Sequence, residues 1–283
     1  MSKNSLTKIL AAFLCLCFLS PLFSQEDRDS SGASSFNFWG SGKVFALNPV
    51  TDSALLGTGL LLSGGDLILD NALKLNRQEY KGEFYDKDDV NSFDRFFMNS
   101  YSKKLDLAGD LLLVATMATP AVLATTQKEE WLTCGVMYAE TLLIANGIKE
   151  ITKLCVNRAR PYMYYDSENY PESDIDDGDW ANSFPSGHCT MAFAGATFTS
   201  YTFCKYFPDS PWRFPVIASS FAMASGTAAL RIASGNHFMT DVLTGAVIGS
   251  AVGFLVPWLH TFNTKNDLNL TLRADGVLIA LRF

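Results

Sequence analysis

The sequence predicts an all-α fold, a six-helix bundle embedded in or associated with a membrane, followed by a short C-terminal β-hairpin. Three observations carry this expectation. Six apolar segments, at about 54–73, 106–125, 130–152, 188–206, 214–232 and 238–260, are each long enough for roughly five to six helical turns. Hydrophobic residues make up 48% of the 283 residues and charged residues 18%, below the roughly 25% usual for soluble domains. The last three segments are nearly free of charge and rich in small residues: Ala192 to Ala196, Ala222 to Ala229, and Gly245 to Gly253. Small side chains let helix backbones approach closely, as they do in membrane bundles. Such a chain is too apolar to be intrinsically disordered. With 22 basic against 29 acidic residues, a net charge of -7, it has no basic excess with which to bind nucleic acid.

In chain order, Lys3 and Lys8 precede the apolar run Ile9 to Leu19 and the stretch Ser20-Pro21-Leu22-Phe23-Ser24. That pattern reads as an export signal over 1–24, with an uncleaved anchor as the alternative. Residues 25–53 are Ser-, Gly- and Asp-rich and read as a flexible leader. The helical core is expected over 54–262. Its first segment carries Asp66 and Asp70, costly inside lipid, and its second contains Pro120, where a kink is expected. The connection 74–105 mixes seven basic with six acidic residues and reads as a surface excursion. The connection 162–187 holds seven acidic residues from Asp166 to Asp179 and no basic one. The run Asp174 to Asp179 fails the ligand alternation of an EF-hand loop, so a solvated acidic lid is the expectation. In the tail, 263–283, two alternating runs flank Ala274-Asp275-Gly276, a hairpin signal.

After removal of the leader peptide four cysteines remain. Cys134 and Cys155 lie at opposite ends of one expected helix, about 30 Å apart, too far for a disulfide. Pairing of Cys155 with Cys189 and of Cys134 with Cys204 is the alternative to four free thiols, and free thiols are the expected state. No C-x-x-C spacing points to zinc or redox chemistry.

Chemistry concentrates around two of the three histidines. Lys153, six residues, then Arg160-Pro161 close the third segment. Pro185-Ser186-Gly187-His188 opens the fourth, and Arg231, five residues, His237, three residues, Asp241 spans the turn from fifth to sixth. In an antiparallel bundle these four segment ends share one face. Lys153, Arg160 and Arg231 can neutralise a phosphate and its transition-state charge. The backbone N–H groups near Ser186 and Gly187 lie at a helix N-terminus, where anions bind, although Ser186 also reads as a simple cap. His237 and Asp241, spaced i,i+4, meet on one helical face, so the carboxylate can fix the imidazole tautomer while the other nitrogen attacks phosphorus. His188 is placed to protonate the departing alkoxide. His260, next to Trp258 at a helix end, reads as an interfacial side chain.

These motifs, in this order, make the chain similar to the type 2 phosphatidic acid phosphatase and vanadium haloperoxidase superfamily. Ten defined identities are met, each at about one in twenty by composition; Leu230 stands where the family usually has Ser. The resemblance covers 54–260. It implies His237 as phosphohistidine nucleophile, His188 as acid, and neither metal nor cofactor for the phosphatases. It also implies a phosphorylated lipid as substrate and the membrane as partner. An exported acid phosphatase for soluble monoesters and a non-enzymatic envelope protein are the alternatives, and the sequence leaves the oligomeric state open. Cleavage after Ser24 with six spanning helices would put the catalytic face in the cytoplasm. If the first segment does not span, or the bundle is only attached to the membrane, the site faces the periplasm, which is the expectation.

Overall fold

The computed structural model describes residues 41–73, 78–262, 268–273 and 276–281. Its helical core consists of α1 (Pro49–Leu73), α2 (Lys103–Met117), α3 (Trp131–Cys155), α4 (Gly187–Tyr206), α5 (Arg213–Ala233) and α6 (Met239–Phe262). Helix α4 is the central post: it packs against α2, α3, α5 and α6, while α1 lies on α3. Phe193, Ala192 and Ala196 of α4 meet Ala224, Ala228 and Ile232 of α5 and Val242 and Ala246 of α6 in one apolar cluster. Buried on most sides, α4 tolerates Thr190, Thr199 and Ser200 because each hydroxyl donates to a carbonyl four residues back.

Among the described residues, three helical stretches are long and apolar enough to cross a membrane: Lys103–Thr125, Arg213–Ala233 and Met239–Thr261. Leu107, Leu111 and Val114 of α2, Phe214 of α5, and Val247 and Leu255 of α6 point outward, as lipid-facing side chains would. The seam between α4 and α6 explains the glycine-rich sixth segment. A Cβ on Gly245, Gly249 or Gly253 would lie 2.5, 2.1 or 2.5 Å from the carbonyl oxygens of Ser186, Thr190 and Ala194. The two backbones therefore touch at three points over about two helical turns, which only glycine permits.

Several boundaries differ from the sequence expectation, each for a local reason. Helix α1 begins at Pro49, inside the stretch read as leader. The Asn48 side chain accepts from the Val50 amide at 2.9 Å, and proline suits the first helical position. Just before it, Phe45 is fully buried and the Ala46 amide bonds the His260 carbonyl at 3.1 Å, so this segment is docked. Helix α2 ends at Met117, and Pro120 sits in a 3-10 turn, Thr119–Thr125, rather than in a kinked helix. The four cysteines are free.

The two charged connections are less open than their composition implies. In 78–102, Asp94 is fully buried, in a short helix, Ser92–Phe97, that Asn91 caps. In 162–187, Tyr162, Met163, Trp180 and Ala181 form a buried cluster of their own. The acidic run keeps Asp166, Glu168, Glu172, Asp176 and Asp177 exposed, as expected of a solvated stretch, while its flanks are anchored by aromatics and Asp174 and Asp179 turn to Arg160. At the other end of the chain, β1 (Leu268–Arg273) and β2 (Gly276–Leu281) pair antiparallel with Leu268 opposite Leu281 and Arg273 opposite Gly276. The expected turn at 274–275, the signal at 1–24 and the first part of the leader lie outside the described residues.

Candidate active site

Helices α3 and α5 end, and α4 and α6 begin, at one end of the bundle. Between them lies a cavity of about 360 Å³, lined among others by Lys153, Arg160, Gly187, His188, Arg231 and His237. The chain after α3 is held by backbone bonds to the end of the acidic connection: Arg158 to Ala181, Arg160 to Trp180, and Ser183 back to Arg158, at 2.8, 2.8 and 3.0 Å. Those bonds fix Arg160 against the cavity. The turn from α5 to α6 passes through Gly235 at φ 79. A Cβ there would meet the Asn99 carbonyl oxygen at 2.6 Å, so glycine is required on both conformational and steric grounds.

His237 is 3% exposed. Its Nδ1 lies 2.7 Å from the Ser183 carbonyl oxygen. A carbonyl can only accept, so Nδ1 carries the proton and Nε2 is left with its lone pair. Burial first, then Arg160, Arg231 and His188, hold the ring well below the ordinary imidazole range, so it is neutral at neutral pH.

Asp241 sits 3.9 Å from His237 Nδ1, too far for a hydrogen bond. The direct contact expected from the i,i+4 spacing is therefore replaced by a relay. Asp241 accepts from Ser183 Oγ at 2.5 Å, from the Phe238 amide at 2.8 Å and from Arg158 at 2.5 Å. It holds Ser183, and Ser183 holds the imidazole. Arg158 continues outward to the buried Asp94 at 2.7 Å.

His188 Nε2 is 2.7 Å from Asp110. Burial first, then Arg231 and Arg160, push its pKa down to about 3, against the pull of Asp106. The cations are paired as well. Arg231 bonds Asp106, and Asn236 donates to the same carboxylate at 2.9 Å. Arg160 bonds Asp179, and it lies 3.0 Å from Asn236 Oδ1. Burial opposes the Arg160 charge, but Asp179, Tyr162 and Asp174 outweigh it and raise its pKa. Lys153 is shifted down by burial, opposed by Asp179. An anion entering this cavity meets four cationic side chains, Lys149, Lys153, Arg160 and Arg231, and two neutral imidazoles, with carboxylates it must displace or push aside.

Of the residues singled out in sequence, Lys153, Arg160, Gly187, His188, Arg231 and His237 line the cavity. Ser186 does not cap α4 with its side chain; it is fully buried, and its amide bonds the Asp241 carbonyl at 3.0 Å. Sequence reading missed Asp106, Asp110, Lys149, Asp174, Asp179 and Asn236 around the cavity and the Asp94–Arg158 pair behind it. The i,i+4 spacing of Asp106 and Asp110 at the start of an apolar helix was a usable signal. His260 is also placed differently from its expected interfacial position: it is fully buried between Asp52 and Glu140.

Comparison with known proteins agrees with this arrangement. A lipid A 1-phosphatase of Porphyromonas gingivalis is 29% identical over 184 residues, covering 63% of this chain and 37% of that protein. A PA-phosphatase related-family protein of Dictyostelium discoideum is 32% identical over 113 residues, 35% of this chain and 41% of that one. The chain thus spans well under half the length of either relative. A solved transmembrane PAP2 type phosphatidylglycerolphosphate phosphatase from Bacillus subtilis superposes with a TM-score of 0.36 at 17% identity, over 90% of this chain and 95% of that one. That superposition is too loose to bear on the site. The profile of the PAP2 superfamily matches residues 135–265, the stretch in which all three motifs stand. Over that stretch, whose motif residues also meet in one cavity, the chain is similar to the PAP2 superfamily.

Proposed function

We propose that this chain is a phosphatase of lipid phosphates or diphosphates, working through a phosphohistidine on His237. The observation that carries the reading is the state of that ring. It is buried and neutral, its Nδ1 proton is engaged by Ser183, and Lys153, Arg160 and Arg231 line the same cavity. His237 Nε2 attacks phosphorus, and the bond from phosphorus to the leaving oxygen breaks. His188, which takes up a proton once the negative phosphate is bound, gives it to that oxygen. Water then attacks the phosphohistidine, His188 takes back a proton, and inorganic phosphate leaves. The cations stabilise the equatorial oxygens in both steps.

The lipid class is supported by the name of the Porphyromonas gingivalis relative and by the three helices of membrane-spanning length. A periplasm-facing site, with the export signal removed, is part of this proposal. The pairing of β1 with β2 supports reading 263–283 as a hairpin appended to the core, without a part in the chemistry. Phosphate release measured over phosphatidate, phosphatidylglycerophosphate, a polyprenyl diphosphate, lipid A and soluble monoesters tests the reading. Turnover of at least one lipid well above the soluble esters is expected. Vanadate should inhibit, since it adopts the trigonal-bipyramidal shape of the transferring group. Activity confined to soluble esters would replace the lipid assignment with the acid-phosphatase one.

A further inference from the structure

A second cluster of ionisable groups lies at the opposite end of the bundle. His260, in the last turn of α6, is nineteen residues or about 28 Å along the helix from Asp241, and Glu140 is about 20 Å along α3 from Lys153. Asp52, from the first turn of α1, completes the group. His260 Nε2 is 3.1 Å from Asp52 Oδ1 and 3.2 Å from Glu140 Oε2. The three candidate ligand atoms lie within 4.8 Å of one another. Glu140 and His260 are fully buried, and Asp52 is 8% exposed.

With both carboxylates ionised, the charges in this cluster do not balance. His260 Nδ1 lies 2.8 Å from the Val256 carbonyl oxygen, so Nδ1 carries a proton and Nε2 faces the two carboxylates. A proton on Nε2 can serve one oxygen well, and Asp52 is the better placed. Both Glu140 oxygens then remain buried without a hydrogen-bond donor among the described residues. A buried carboxylate left in that state is costly. One divalent cation answers all three groups at once.

We propose that Asp52, Glu140 and His260 form a structural site for a divalent transition-metal ion of the zinc type. The imidazole is oriented as in known metal sites, its distal N–H held by a backbone carbonyl. Zinc bound tetrahedrally at about 2.0–2.1 Å sets its ligand atoms about 3.4 Å apart, close to the 3.1 and 3.2 Å separations found here. One imidazole with two carboxylates is also a donor set such ions accept. The ion would tie the start of α1 and the end of α6 to the middle of α3, with water as fourth ligand. It takes no part at the phosphate cavity, and the proposal is independent of the phosphatase reading.

The test is metal analysis of the full chain, purified in detergent without a metal-affinity tag. After incubation with Zn²⁺ and removal of excess, about one equivalent per chain should remain, and occupancy should fall about tenfold or more in Glu140→Gln. Added Zn²⁺ should raise the unfolding temperature of the wild type and leave that of Glu140→Gln unmoved. If Glu140→Gln does not fold, the wild-type titration decides alone. Folded wild type that retains no divalent ion, and whose unfolding temperature ignores Zn²⁺, overturns the proposal and leaves a proton as the shared cation.

Discussion

His237 has one ring nitrogen tied to the Ser183 carbonyl, so any nucleophilic chemistry falls to the other. Replacement by Ala should abolish turnover, and acid-quenched enzyme should carry phosphate on this residue and no other. Asp241→Asn acts at one remove, by loosening Ser183; it should leave KM nearly unchanged and lower kcat by about 100-fold, the scale of an ångström-sized misplacement. In the proposed mechanism the histidines should also set the pH profile. His237 is depressed, so the free enzyme keeps its nucleophile down to acid pH, and the acid limb of kcat/KM should fall below the ordinary imidazole value of about 6.5. His188, held down to about 3 by burial and the neighbouring arginines, requires the negative charge of bound phosphate to take up its proton. The alkaline limb should therefore appear in kcat, and His188→Ala should remove it. That variant should slow alkyl and lipid phosphates far more than aryl phosphates, whose leaving groups need little protonation. Equal losses would make His188 a phosphate ligand instead of an acid.

At the scale of elements, the motif residues were legible because their spacing places them at helix ends, and an antiparallel bundle brings alternate ends together. Their partners were not. Asp94 reaches Arg158 across 64 positions, and Asp106 reaches Arg231 across 125; no local period marks such pairs. His260 was misread for the same reason, since Asp52 and Glu140 come from two other helices. In the acidic connection, composition showed the exposed carboxylates but not the aromatic cluster that buries its flanks. The glycine row in α6 was read correctly as a sign of close approach, and the structure supplies its partner, α4. Gly249→Ala would set a Cβ 2.1 Å from the Thr190 carbonyl and force the helices apart. It should cost about 1–3 kcal/mol, visible as a drop of several degrees in the unfolding temperature, with kcat lowered as His188 and His237 separate.

For the whole molecule, helices of spanning length and outward apolar side chains lead to a simple expectation. High salt should leave the protein in the membrane fraction and detergent should release it; release by salt would indicate a bundle that is only attached. The seam between α4 and α6 has a mechanical consequence. His188 stands one residue into α4, and His237 two residues ahead of α6. At Gly245, Gly249 and Gly253 the contact between these helices runs backbone to backbone, so little there can yield without moving a whole helix. In the proposed mechanism the acid, His188, and the nucleophile, His237, therefore ride on one stiff beam. A bilayer that thickens, thins or tilts the protein can move the beam as a unit, but the spacing its two ends present to phosphorus stays calibrated.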